Sequence, residues 1–219
     1  MCPSILNADR NNLAFEIDRV TESSDLLHLD VMDNIFVPNI TFSFEESAAI
    51  IAGTSLPVDA HLMIIDPDEK AVDYARAGAA SVTFHYEASK SPRETIDAIK
   101  NAGARAGLAL KPATPFYLLE DLLSDLDMIL IMTVEPGFGG QSFMTEMMPK
   151  VESARAALNE IDRDIWLQVD GGISIETISA AAAAGADAFV AGSAVYKAKS
   201  PGQMLDTLRK LATANSTFE

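Results

Sequence analysis

Short apolar runs recur along the chain, each followed by a stretch whose apolar positions fall three and four residues apart. The runs are Pro3–Leu6, Leu26–Val31, Pro57–Leu62, Ser81–His85, Ala106–Leu110, Met128–Thr133, Ile165–Asp170 and Ala188–Ala191. Runs of this length read as buried strands, and the stretches between them as amphipathic helices ending with one over Pro201–Ala214. Pro67 and Pro201 stand where a first helical turn tolerates proline. Three helix-to-strand junctions repeat one tripeptide: Ala77-Gly78-Ala79, Ala102-Gly103-Ala104 and Ala184-Gly185-Ala186. A glycine there suits a left-handed helix cap, and helix, glycine stop, strand is half of a βαβ unit. Eight such units with no linker or low-complexity segment predict one α/β domain over residues 1–219, a TIM (β/α)8 barrel near the short end of that fold's size range.

Alternation within the strands then places the chemistry. In Leu26–Asp30, His28 and Asp30 project to one side while Leu27 and Leu29 face the other. The third and seventh runs lead into His61 and Asp170. Two imidazoles and two carboxylates at the ends of parallel strands can converge on one divalent cation at a barrel mouth. Mixed nitrogen and oxygen donors suit zinc, iron(II) or manganese(II) without choosing among them. The remaining histidine, His85, reads as structural, and Asp33 and Glu87 as loop or supporting groups. Asp25 and Asp187 precede strands and read as turn residues at the opposite end.

Glycine clusters follow the sixth, seventh and eighth runs: Gly137-Phe138-Gly139-Gly140, Gly171-Gly172 and Gly192-Ser193. Glycine lets backbone N–H groups approach an anion, and barrels of this kind commonly bind phosphate at the loops after strands seven and eight. A side chain at Gly172 is therefore expected to obstruct the anion.

Composition acts by exclusion. With 32 acidic against 16 basic residues the net charge is −16, which excludes the basic footprint that nucleic acid or an anionic membrane requires. One cysteine, Cys2, permits no intrachain disulfide. The first residues lack a signal-peptide pattern and no apolar run approaches the ~20 residues of a membrane span, so a cytoplasmic protein is expected.

The stretches Pro3–Asp9, His28–Asp33, Phe36–Asn39, Asp59–Met63, Met132–Gln141, Val169–Ile173 and Ala191–Ala194 closely resemble the ribulose-phosphate 3-epimerase family. The resemblance implies interconversion of D-ribulose 5-phosphate and D-xylulose 5-phosphate through an enediolate, within the pentose phosphate pathway. It implies Asp30 and Asp170 as acid/base residues and His28, Asp30, His61 and Asp170 as ligands of one divalent metal. Substrate contacts are implied at Ser4, His61, Met32, Met63, Met132, Gly137, Phe138, Gly139, Gly140, Gly171, Gly172, Gly192 and Ser193. A homo-oligomer is implied as well. Asn34 departs from the family's common glycine and Glu135 from its common asparagine. Two other readings compete. Allulose-6-phosphate 3-epimerases share the chemistry but have Ala-Gly at Gly139-Gly140. Asp68-Glu69-Lys70-Ala71-Val72-Asp73 matches the D-x-K-x-x-D motif of the orotidine-phosphate and ketogulonate-phosphate decarboxylases, but it follows Asp66-Pro67, a helix start, and reads as a solvated helix face.

Overall fold

A computed structural model describes residues 1–216; the last three residues of the expected domain lie outside the described part. Eight parallel strands form one sheet: β1 (Cys2–Pro3), β2 (Leu27–Met32), β3 (Val58–Met63), β4 (Ser81–His85), β5 (Arg105–Leu110), β6 (Met128–Met132), β7 (Trp166–Asp170) and β8 (Ala188–Ala191). Each strand from β2 onward pairs with the next, and β1 pairs with β8. The remaining seam, between β1 and β2, is joined by a single parallel bridge from Ser4 to His28. The strands thus make a nearly closed barrel.

Helices α1 (Leu13–Thr21), α2 (Phe44–Gly53), α3 (Pro67–Arg76), α4 (Pro92–Asn101), α5 (Met148–Asn159), α6 (Ile178–Ala183), α7 (Ser193–Tyr196) and α8 (Pro201–Asn215) connect and surround the strands. The helix expected between β5 and β6 is a 3-10 helix, Phe116–Asp125. Gly78, Gly103 and Gly185 all have φ near +100°, as a left-handed helix stop requires. The first strand is shorter than its apolar run: Ser4 Oγ accepts the Leu6 N–H, and the chain turns into a 3-10 helix at Ile5–Asn7. Asn34 has φ +58°, a left-handed backbone region that asparagine tolerates better than most residues.

Outward residues such as Leu27, Leu29, Val31, Leu62, Val82 and Phe84 are buried with the helices in the main apolar core. The inward positions differ. His28, Asp30, Asp59, His61, Ser81, Thr83, His85 and Gln168 are all buried and polar. Since an unpaired buried polar group costs free energy, this interior must satisfy itself or hold something.

Candidate active site and metal centre

Register gathers the four candidate ligands. Asp30 on β2 lies beside His61 on β3, and β7 delivers Asp170 beside Met132 of β6. One donor atom from each of His28, Asp30, His61 and Asp170 lies within 4.8 Å of every other. His28 Nε2 is 3.4 Å from Asp30 Oδ1 and 3.9 Å from Asp170 Oδ2. His61 Nδ1 is 3.3 and 3.6 Å from the same two oxygens. Both ring nitrogens are buried without a hydrogen-bond partner. Two orphaned nitrogens aimed at two carboxylates are the donor set of a divalent cation, so the residues fit the expected metal.

Neighbouring groups orient the ligands. His28 Nδ1 donates to Asp59 Oδ2 at 2.8 Å, which directs the Nε2 lone pair into the cluster. Asp59 also accepts from Ser81 Oγ at 2.7 Å and Gln168 Nε2 at 2.9 Å. Burial pushes the Asp59 carboxyl up, but these partners outweigh it and hold it below the ordinary range, ionised. Ser4 Oγ donates to Asp30 Oδ2 at 2.5 Å, leaving Oδ1 for the imidazoles. Thr41 Oγ1 donates to the Asp30 carbonyl and accepts the Met32 N–H, fixing the end of β2.

The two candidate acid/base groups are driven apart. For Asp30, burial raises the pKa but His28 and His61 overcome it, holding the carboxyl far below the usual range. For Asp170, burial and then the charge of Asp30 push it up to about 6. A pair of carboxyls separated in this way can supply one base and one acid.

Above them a narrow cleft opens at the barrel mouth. It is lined by Asp30, Asp170, Met32, Met63, Met132, Ser4, Gly137, Phe138, Gly139, Gly140, Gly171, Gly172, Gly192 and Ser193. Of the residues expected to meet substrate, only His61 is not part of this lining; its ring is wholly buried. Gly137, Gly140, Gly171 and Gly172 have positive φ, so their loops need glycine. Asn39 Nδ2 ties the loop after β2 to the Gly137 carbonyl, and Gln141 Nε2 closes the glycine loop on the Glu135 and Phe138 carbonyls.

Asp59, Gln168 and Asn7 also serve this region, and the sequence reading did not single them out. A Cβ on Gly139 or Gly192 would lie within 2.6 Å of the Asn7 carboxamide, which fills the space between the two loops. His85 is buried, as a structural histidine would be, but it touches the cluster through His61. Asp25 and Asp187 pair with Arg209 and Arg155 and belong to the far end. The D-x-K-x-x-D segment lies on α3, outside the cleft lining. Asp68 there accepts from Ser89, Thr95 and the Lys90 N–H, a strap to the segment after β4.

Comparison with known proteins agrees with this geometry. Ribulose-phosphate 3-epimerase from Mycobacterium leprae is 46% identical over 216 residues, covering 99% of this chain and 96% of that protein. The Candida glabrata protein of the same name is 42% identical, covering 96% of this chain and 91% of its own. Among solved structures, 3-hexulose-6-phosphate synthase from Salmonella typhimurium superposes with a TM-score of 0.70 at 19% identity, covering 98% of each chain, a likeness of fold alone. The family model for ribulose-phosphate 3 epimerases matches residues 1–196, and the chain belongs to that family.

Proposed function

We propose that this chain is a metal-dependent 3-epimerase that interconverts D-ribulose 5-phosphate and D-xylulose 5-phosphate. The observation that carries the reading is the cluster itself: two carboxyls of opposed acidity flanking two orphaned imidazole nitrogens, under a glycine-lined cleft. Inversion at C3 needs one group to remove the proton next to the C2 carbonyl and another to return one on the opposite face. Asp30, held ionised, is the base toward one epimer, and Asp170, the readier to carry a proton, is the acid. The roles exchange in the reverse direction. His28, Asp30, His61 and Asp170 would hold zinc, iron(II) or manganese(II), which supplies Lewis acidity at the substrate carbonyl oxygen. Met32, Met63 and Met132 give the enediolate a soft, poorly hydrated surround. Backbone N–H groups from Gly137 to Gly140, Gly171, Gly172, Gly192 and Ser193 receive the phosphate. Ser4 orients Asp30, while His61, buried beneath the cleft, would act on the substrate only through a cation held by its Nδ1.

The net charge of −16 supports a small-molecule substrate and no nucleic-acid partner. No helix among the described residues is long and apolar enough to cross a membrane. A cytoplasmic homo-oligomer completes the reading; light scattering reads the assembly. The reaction is tested by incubating ribulose 5-phosphate with the metal-loaded protein in deuterium oxide. Deuterium should enter C3 as xylulose 5-phosphate forms, and no exchange would refute proton transfer at that carbon. Comparing kcat/KM on ribulose 5-phosphate and allulose 6-phosphate decides between pentulose and hexulose chemistry, and CO2 release would mark a decarboxylase.

A further inference from the structure

His61 faces the cluster through Nδ1, and its other nitrogen meets no carboxylate. His61 Nε2 lies 2.9 Å from His85 Nε2. His85 Nδ1 lies 3.2 Å from Glu87 Oε2, and Glu87 Oε1 accepts the Lys111 backbone N–H at 2.8 Å. The two rings are stacked, with centroids 5.1 Å apart, and both are wholly buried. The chain of contacts has one consistent direction. An ionised carboxylate only accepts, so His85 places its ring proton on Nδ1. His85 Nε2 is then a lone pair, and it accepts from His61 Nε2–H. That leaves His61 Nδ1 bare, facing Asp30 and Asp170.

We propose that Glu87 is a positioning residue for the cation site: acting through His85, it selects the tautomer of His61 whose Nδ1 can bind metal. This rests on reading the four-residue cluster as a cation site. It assigns the two imidazole ligands different supports, since His28 leans directly on the Asp59 carboxylate while His61 is set through a second ring.

Glu87→Gln tests the relay. The Lys111 N–H holds the amide oxygen, so the amide NH2 turns toward His85 Nδ1. The His85 proton then moves to Nε2, and that of His61 to Nδ1, blocking the ligand. All three histidines of the chain lie in this cluster, so a 15N spectrum of the metal-free protein contains only three imidazoles. The native spectrum should show His61 protonated on Nε2, and the variant on Nδ1. Zinc affinity, read by competition with a chelating dye, should fall roughly 10- to 100-fold. In a His85→Gln background the amide oxygen can accept from His61 without Glu87, so adding Glu87→Gln should cost less than about twofold. An equal loss in both backgrounds would mean that Glu87 only holds the Lys111 segment and would overturn the proposal, as would native zinc affinity in Glu87→Gln. Native protein that binds no zinc overturns the cation site and the proposal together. Native binding with an unmoved His61 tautomer in the variant overturns the relay alone.

Discussion

Asp170 should destabilise the metal-free protein that depends on it. Its side chain is 16% exposed, and burial together with the Asp30 charge raises its pKa from 3.8 to about 6. At about 1.4 kcal/mol per pH decade, ionising it in the folded protein costs up to about 3 kcal/mol more than in the unfolded chain. Because the folded pKa is the higher one, the folded state binds the proton more tightly. Stability from this group is fully present below pH ~4 and is lost as the pH rises to about 6 and beyond. Asp170→Asn keeps the size and removes the charge. Stripped of metal at pH 7, the variant should therefore be the more stable protein by up to about 3 kcal/mol, roughly 6 to 12 °C in Tm for a chain of this length. The gap should close on acidification to pH 4. With saturating zinc the order should reverse, since a neutral amide is the poorer ligand, and turnover should fall roughly 10²- to 10⁴-fold in both directions. The assay is urea unfolding of both proteins in chelator across this pH range, with metal content measured beside activity. A metal-free variant less stable than the native protein at pH 7, or a gap independent of pH, would refute the electrostatic account of Asp170.

Chelation should abolish epimerase activity while far-UV circular dichroism stays native, because the helices pack on outward strand residues and not on the ligands. Gly140→Ala should raise KM for ribulose 5-phosphate roughly tenfold or more with modest loss of stability, since its φ is +75° and the nearest atom to a new Cβ is 3.8 Å away. A KM unchanged in that variant would remove the loop from the phosphate site. Gly172→Ala should lose stability as well as substrate affinity: its Cβ would lie 2.5 Å from the Phe143 backbone nitrogen, so thermal melts must accompany kinetics. Inorganic phosphate should compete with substrate, and unphosphorylated ribulose should show a far lower kcat/KM; equal values for the two sugars would mean the glycine loops are turns only.

The strands were legible because a short apolar run flanked by helical periodicity has few other uses, and the ligands because alternation is rigid once a strand is assumed. His28 and Asp30 share a face whatever the fold. The same rule points Asp59 inward with His61 and Gln168 inward with Asp170, deeper in the barrel than the ligands at the strand ends. A carboxylate two residues deeper than a ligand was the available signal for the group beneath His28. The contact between His61 and His85 had no local signal, since it depends on the register of β3 against β4, which pairs His61 with Thr83. Asn7 was hidden for another reason. Its position follows from the turn that the Ser4 hydroxyl imposes on an apolar run, and periodicity alone reads that run as more strand.

The same hydroxyl connects the fold to the chemistry. The β1–β2 seam has no ladder, only the bridge from Ser4 to His28, so it is the weakest join in the barrel wall. At that point Ser4 Oγ binds Asp30 and accepts from Leu6, and the turn it forms sets Asn7 between the glycine loops after β6 and β8. Closing the barrel, orienting Asp30 and shaping the glycine-lined end of the cleft are therefore one local event at residues 4 to 7. A cation drawn to His28 and Asp30 would brace both residues that Ser4 touches on β2, so binding should tighten the seam from the inside. Metal-dependent protection of backbone amides should accordingly be largest along Ser4–Asn7 and β2, and smaller in α4 and the 3-10 helix Phe116–Asp125, which lie by β5 and β6 across the barrel from that seam. Uniform protection across the barrel would separate closure from the site.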